Sequence, residues 1–424
     1  MIAFITLSVL SQNGWSASGD ADRAIAQRQY KVRRSPNNPS AYHRLGDAYI
    51  QKARESGDPT YFELAEQALR KSLGLNPEQS GSRRHLAYVM ASRHDFIAAA
   101  AEAKMAIAAD PGDADAHGVL GDAYLEMGSY EQAEQTYTKM LSLKETLAAY
   151  SRLSGLKSLR GDHQGAVSDL KKAIVLGQEQ NQPGESIAWA QWQLATDYFS
   201  QGNLAAAERQ LQKALETYPN YYRALASLAQ VRAAEGRFKE AIALYRRAVS
   251  VVPALEYIGA LGDVYKRVGR ADEAQKQYDL VEYIGKLNAI NKSLYNRELA
   301  YFYADHDIKL SEALELAKRE FDYRKDIYAY DLLAWSLYKN NELAQARDAM
   351  DEALKLGTED AKLFYHAAMI YRGLKQDEKA KEFLRRAVSA NPHFHVLFAE
   401  EAARILGETD NRTASVAARQ HQGD

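Results

Sequence analysis

A leucine, a small residue and, three positions further on, often a tyrosine recur along this chain. The examples are Leu45-Gly46 with Tyr49, Leu120-Gly121 with Tyr124, Leu194-Ala195 with Tyr198, Leu261-Gly262 with Tyr265 and Leu299-Ala300 with Tyr303. Twelve residues after the small position stands an alanine: Ala99, Ala133, Ala166, Ala207, Ala241, Ala274, Ala346 and Ala380. Four beyond that comes a large residue such as Tyr137, Leu211, Tyr245 or Tyr278. These spacings put one apolar face on each of two successive helices. A small residue on the first helix lets the second approach closely. Gly128-Ser129, Gly202-Asn203, Gly236-Arg237 and Gly269-Arg270 mark the turns within pairs, where glycine suits a left-handed helix end. Pro36, Pro77, Pro111, Pro219, Pro253 and Pro392 mark the ends of second helices, and Pro77–Pro111 and Pro219–Pro253 are each 34 residues apart.

About ten such units in phase resemble the tetratricopeptide repeat, over roughly residues 19–406. The resemblance implies an all-α, right-handed superhelical solenoid of helix-turn-helix repeats. A half-repeat is expected at 19–38, the solenoid at 39–390, a capping helix at 391–406 and a disordered tail at 407–424. Units begin near Pro39, Glu78, Gly112, Glu145, Ser186, Asn220, Ala254, Asn291, Asp326 and Asp360. About seven extra residues around 56–62, the stretch Gly177–Glu185 and the join from Tyr283 to Tyr295 depart from the pattern. Units are expected to couple mainly to their neighbours.

Composition narrows the function. There are 54 Lys+Arg against 56 Asp+Glu, a net charge of −2, which speaks against a general nucleic-acid binder. There is no cysteine, which excludes disulfides and thiolate metal sites. Residues Ile2 to Leu10 are apolar, and Ser16 and Ser18 are spaced like a signal-peptidase site. Residues 1–18 therefore read as a signal peptide and the protein as periplasmic or secreted, with a cytoplasmic scaffold as the alternative. No later run is long enough to span a membrane. Phosphate-loop, His-Glu-x-x-His and Gly-x-Ser-x-Gly signatures are all missing, so neither catalysis nor a cofactor is expected. His393 and His395 point in different directions, and Asp305-His306-Asp307 reads as a capping turn.

Of 27 tyrosines, twelve fall on interior positions of the repeat and are core: Tyr42, Tyr49, Tyr124, Tyr137, Tyr150, Tyr198, Tyr245, Tyr265, Tyr278, Tyr303, Tyr330 and Tyr371. The resemblance implies that first helices line a concave groove. Its N-terminal part would show His43, Asp47, Arg84, Tyr88, Asp115 and Asp122, and its fourth unit only Ser151, Gly155 and Ser158. Arg297, Tyr301, Tyr328, Asp331, Trp335, Tyr338, Tyr365 and Arg372 form the expected partner-binding surface, with Trp189, Trp192, Phe199 and Arg223 as a second patch. Exposed aromatics beside arginine are common binding anchors. With acids at Asp47 and Asp115, the clamp that holds chaperone tails in this family is not reproduced. The expectation is a non-catalytic scaffold that takes a protein or peptide in its groove, in envelope assembly or secretion. A polysaccharide ligand is the alternative, and oligomeric state is left open.

Overall fold

The computed structural model describes residues 19–290 and 297–407. The signal segment 1–18, the tail 408–424 and part of the join near Tyr295 lie outside the described residues. Helix α1 (Gly19–Arg34) stands alone and ten antiparallel pairs follow. They are α2 (Pro39–Ser56) with α3 (Thr60–Leu75), α4 (Ser80–Ser92) with α5 (Phe96–Ala109), α6 (Ala114–Glu126) with α7 (Tyr130–Leu143), and α8 (Leu147–Leu159) with α9 (His163–Glu179). Next come α10 (Gly184–Ser200) with α11 (Leu204–Thr217), α12 (Tyr222–Ala234) with α13 (Phe238–Val251), and α14 (Leu255–Arg267) with α15 (Ala271–Ile290). The last three are α16 (Arg297–Asp305) with α17 (Leu310–Glu320), α18 (Ile327–Lys339) with α19 (Leu343–Leu354), and α20 (Ala361–Gly373) with α21 (Asp377–Ala390). A final helix, α22 (398–407), closes the described chain. The architecture is an all-α repeat solenoid, and no strand occurs among the described residues. No helix there is long and apolar enough to cross a membrane.

Local chemistry explains the units. Gly46 lies where a Cβ would come within 2.7 Å of Leu69 Cγ, and a Cβ on Gly121 or Gly262 would overlap the ring of Tyr137 or Tyr278. The small residue of each first helix is therefore the seat of the large residue on the second. The turn glycine Gly128 has φ +74°, a conformation that a Cβ would strain. Asp95, Asp113, Thr146, Asp162, Asn203 and Asp360 cap helix starts through side-chain oxygens. The twelve interior tyrosines are all buried or half-buried. Several hydroxyls find partners at the edge, as in Tyr137 to Asp122 at 2.9 Å and Tyr371 to Asp351 at 2.9 Å. The irregular join begins later than expected, because α15 continues through Tyr283 to Ile290.

Helices pack mainly within a unit and against the adjacent units, as expected, and the curvature adds contacts between distant units. The Lys325 amide donates to the Glu126 carbonyl at 3.2 Å, and the Ile327 amide to Tyr130 Oη at 2.8 Å. The Thr358 hydroxyl donates to the Leu159 carbonyl, and Asn391 Nδ2 donates to the Phe199 carbonyl at 2.7 Å. Gly57 packs so closely on Val252 that a Cβ there would come within 2.9 Å of its side chain. In each case the turn inside one pair touches the connection leading into the sixth pair further on, or into α22. The solenoid thus completes a turn in six units and stacks the next turn upon it.

Candidate functional site

The tight turn buries most of the expected C-terminal groove surface. Trp335 is 1% exposed, and Tyr301, Tyr328, Asp331, Tyr365 and Arg297 are also buried. Trp335 stacks on His366 with ring centroids 4.1 Å apart and on Tyr338 at 5.1 Å, and its Nε1 donates to Asp305 Oδ1 at 2.8 Å. Tyr301 donates to Asp331 Oδ2 at 2.8 Å, whose other oxygen lies 2.8 Å from His366 Nδ1. The Tyr328 hydroxyl lies 3.4 Å from Asp360 Oδ2. Tyr365 stacks on Phe398 at 5.1 Å and donates to Glu401 at 2.8 Å, so α22 covers it. Arg297 pairs with Glu320 at 2.6 Å and Asp326 at 2.8 Å. Only Tyr338, half-buried, and Arg372, exposed, keep substantial open surface. The expected exposure fails because successive first helices sit close enough for these side chains to reach the next unit.

The second patch fares differently. Trp189, Trp192 and Phe199 are also buried, yet Trp192, Phe199 and Arg223 reach the wall of a cavity of about 310 Å³. The concave ends of α10, α12, α14 and α16 form one side of it. The start of α20 and the segment before α22 form the other. Trp192 is pinned by Nε1 donating to Ser227 Oγ at 2.9 Å. Arg223 lies 5.3 Å from the Trp192 ring centre and 5.1 Å from that of Tyr222, so its charge rests on aromatic faces. Tyr301 also lines this cavity.

Other lining charges are already spoken for. Lys362 meets Asp305 at 2.9 Å; against the opposing effect of burial, Lys362 and the neighbouring histidines hold Asp305 down at about 2. His306 Nε2 lies 2.7 Å from Asp263 Oδ1, which also accepts from Tyr278 at 2.9 Å. Asp305 and His306 are thus ties between units rather than the caps their sequence context suggests, and Asp307 takes Lys339 at 2.7 Å. Glu256 and Glu298 remain. Among the described residues neither they nor Arg223 make an ion pair, and enclosure together with the facing Glu298 raises the Glu256 carboxyl. Sequence reasoning missed Glu256, Tyr257, Glu298 and Lys362. The one available signal was aromatic pairing, since Tyr222 and Tyr257 stand near the starts of α12 and α14 with ring centroids 6.1 Å apart.

At the N-terminal end, Asp122 is held by Arg152 at 2.8 Å and Arg84 by Asp113 at 2.8 Å. Tyr88 is fully buried. His43 stacks on His85 at 4.7 Å; burial and nearby Arg84 keep His43 near 4, and burial lowers His85 as well, so the two rings stack uncharged. Burial lifts Asp47 to about 6. No group of three or more metal-ligating side chains occurs among the described residues. His395 packs on Phe398 at 4.4 Å, and burial keeps it uncharged near 4.

Paired helices seated small-on-large in a continuous coil define a tetratricopeptide-type solenoid. Tetratricopeptide repeat family models match residues 90–154, 145–220, 193–254 and 361–394, so the chain carries tetratricopeptide repeats. Over 191 residues it is 27% identical to human protein O-mannosyl-transferase TMTC3, covering 41% of this chain and 20% of that protein. The chain therefore spans about a fifth of the length of that curated relative. Among solved structures it is similar to yeast Tom70 at 15% identity, over 95% of this chain and 96% of that one, with a TM-score of 0.40. It is also similar to PilW, a type IV pilus biogenesis factor, at 21% identity over 52% and 96%, with a TM-score of 0.40.

Proposed function

We propose that this protein is a non-catalytic scaffold that holds an extended segment of a partner protein in the cavity enclosed by its superhelix. The observation that carries this reading is the unspent chemistry of that cavity. Among the described residues Arg223, Glu256 and Glu298 face it without ion-pair partners, beside the rings of Trp192, Tyr257 and Phe302. Carboxylates and a guanidinium at fixed separation suit the alternating charges and amides of a peptide, and the flanking rings suit its apolar side chains. A polysaccharide is the lesser reading, because Arg223 covers the Trp192 ring against which a sugar would stack. The proposed setting is the cell envelope, with residues 1–18 as an export signal, supported by the apolar run Ile2 to Leu10 and by Ser16 and Ser18.

A photo-crosslinking residue placed at Tyr257, and at Ile97 as an outward-facing control that is 62% exposed, tests the assignment in cells. One partner segment should crosslink from position 257, not from 97, and should be lost when Arg223→Glu is added. Equal labelling at both positions, or labelling that survives Arg223→Glu, rejects it.

A further inference from the structure

A second site of different chemistry lies at the first two helices, between α1 and α2. Between Asp22 and Asp47 the chain holds Arg23, Arg28, Lys31, Arg33, Arg34 and Arg44, and neither Asp nor Glu, although the whole chain carries a net charge of −2. Four of these, Arg28, Lys31, Arg34 and Arg44, line a cavity of about 310 Å³ between α1 and the start of α2, with Tyr30, Ser35 and Asn38. Among the described residues none of the four is ion-paired, and the nearby Asp22 is occupied by Lys52 at 2.8 Å.

The simplest account is that basic residues in the last turn of α1 suit the negative end of its dipole. It covers Lys31, Arg33 and Arg34. It does not cover Arg28, a turn earlier, or Arg44, which rises from the opposite wall on α2. There the positive end of the helix dipole adds to the cations, and α2 has no acidic residue in its first turn. Like charges gathered around a concavity repel one another, and an anion placed among them relieves that repulsion.

We propose that this cradle docks an acidic segment of a partner protein, its carboxylates entering between α1 and α2. Neither residues 1–18 nor residues 408–424 offer a strongly acidic segment. Residues 1–18 contain no Asp or Glu, and residues 408–424 offset Glu408, Asp410 and Asp424 with Arg412 and Arg419. A nucleic-acid duplex demands a track of cations along many phosphates. The four lining cations are confined to one pocket on a molecule with slight net negative charge. The cradle is also not the family's clamp, whose positions here hold His43, Asp47, His85 and Asp115. It stands apart from the cavity at Arg223, so either proposal survives failure of the other.

The test is fluorescence anisotropy of the full-length chain with a labelled peptide of alternating Glu and Gly, against an alternating Gln and Gly control. A short DNA duplex and vesicles of phosphatidylglycerol in phosphatidylcholine are the competing probes. The variants are Lys31→Glu/Arg34→Glu, both exposed, and Lys239→Glu, an exposed lysine elsewhere, with helicity checked by circular dichroism. The wild type should bind the Glu peptide over the Gln peptide. Its affinity should fall at least about tenfold in the double variant and on raising salt from ~50 to ~300 mM, and stay unchanged in Lys239→Glu. No preference for the Glu peptide, or the same affinity in the double variant, overturns the proposal. So does stronger binding to DNA or to the vesicles, which would assign the cradle to phosphate instead.

Discussion

Arg324 Nε lies 2.7 Å from Glu126 Oε2, and the two residues belong to different turns of the superhelix. Both side chains are 6% exposed. Arg324 also approaches Glu320 at 3.3 Å, and Glu320 pairs with Arg297 at 2.6 Å, so two guanidiniums and three carboxylates, with Asp326, form one buried cluster at the seam. Burial raises the Glu126 carboxyl despite Arg324. Such a cluster gains little over apolar packing but is costly to break on one side. Arg324→Ala should therefore destabilise the fold by about 3–5 kcal/mol, because Glu126 stays buried without its main counter-charge. Arg324→Met with Glu126→Leu should recover most of that loss. Urea denaturation of the three proteins checks it; an Arg324→Ala variant as stable as the wild type would show that the seam bears no load.

Trp335→Ala should cost about 3–5 kcal/mol, the range for emptying a buried aromatic site. From its groove position alone the same change is expected to leave stability nearly untouched. The structure reverses that, because Trp335 is sandwiched between His366 and Tyr338 and tied to Asp305. A melting temperature within a degree or two of wild type would restore the exposed reading.

The contrast between Gly121 and Trp335 shows what the chain's pattern can convey. Gly121 and Tyr137 meet inside one helical pair, sixteen positions apart, so periodicity alone places them together. The burial of Trp335 depends on Asp305 and His366, in the preceding and following units, and therefore on how sharply the coil bends. That curvature is the sum of small rotations per unit, and no single motif encodes it. The six-unit register was hidden for the same reason: Asn391 and Phe199 are 192 residues apart, and nothing near either one announces the other. The Arg223 side of the cavity was legible from the aromatic run around Trp192. Glu256 and Lys362, three units apart, face one space only because the coil bends sharply.

Gly121→Ala should be more damaging than an ordinary helix substitution, where alanine is favourable by roughly 1 kcal/mol. The added methyl would overlap the Tyr137 ring, whose hydroxyl donates to Asp122 at 2.9 Å, and Asp122 in turn holds Arg152 at 2.8 Å. Moving the ring strains a buried ion pair, so a net loss of about 1–3 kcal/mol is expected, the usual cost of overpacking. Gly236→Ala serves as a comparison in which a Cβ meets open space and strain comes only from its φ of +74°. Equal effects in the two variants would mean that backbone strain, not the tyrosine seat, sets the cost.

His306 should act as a cation that stabilises the fold at mildly acidic pH. Its Nε2 lies 2.7 Å from Asp263 Oδ1 and its Nδ1 2.7 Å from the Phe302 carbonyl, so both ring nitrogens face acceptors and the doubly protonated ring satisfies both. Burial opposes the charge, but these partners prevail and raise the pKa above its usual 6.5. A raised histidine contributes its full stabilisation below the unfolded-state pKa and loses it as pH rises through the folded one. His43 and His395, both held near 4, act in the opposite sense and penalise the fold as pH drops below 6.5. The His306 contribution is therefore read as a difference between wild type and His306→Gln. The stability gap between them should be widest near pH 5.5 and narrow steadily above pH 7 in thermal melts. A gap that is flat across this range, or that widens with pH, would mean that the ring is neutral in the folded protein.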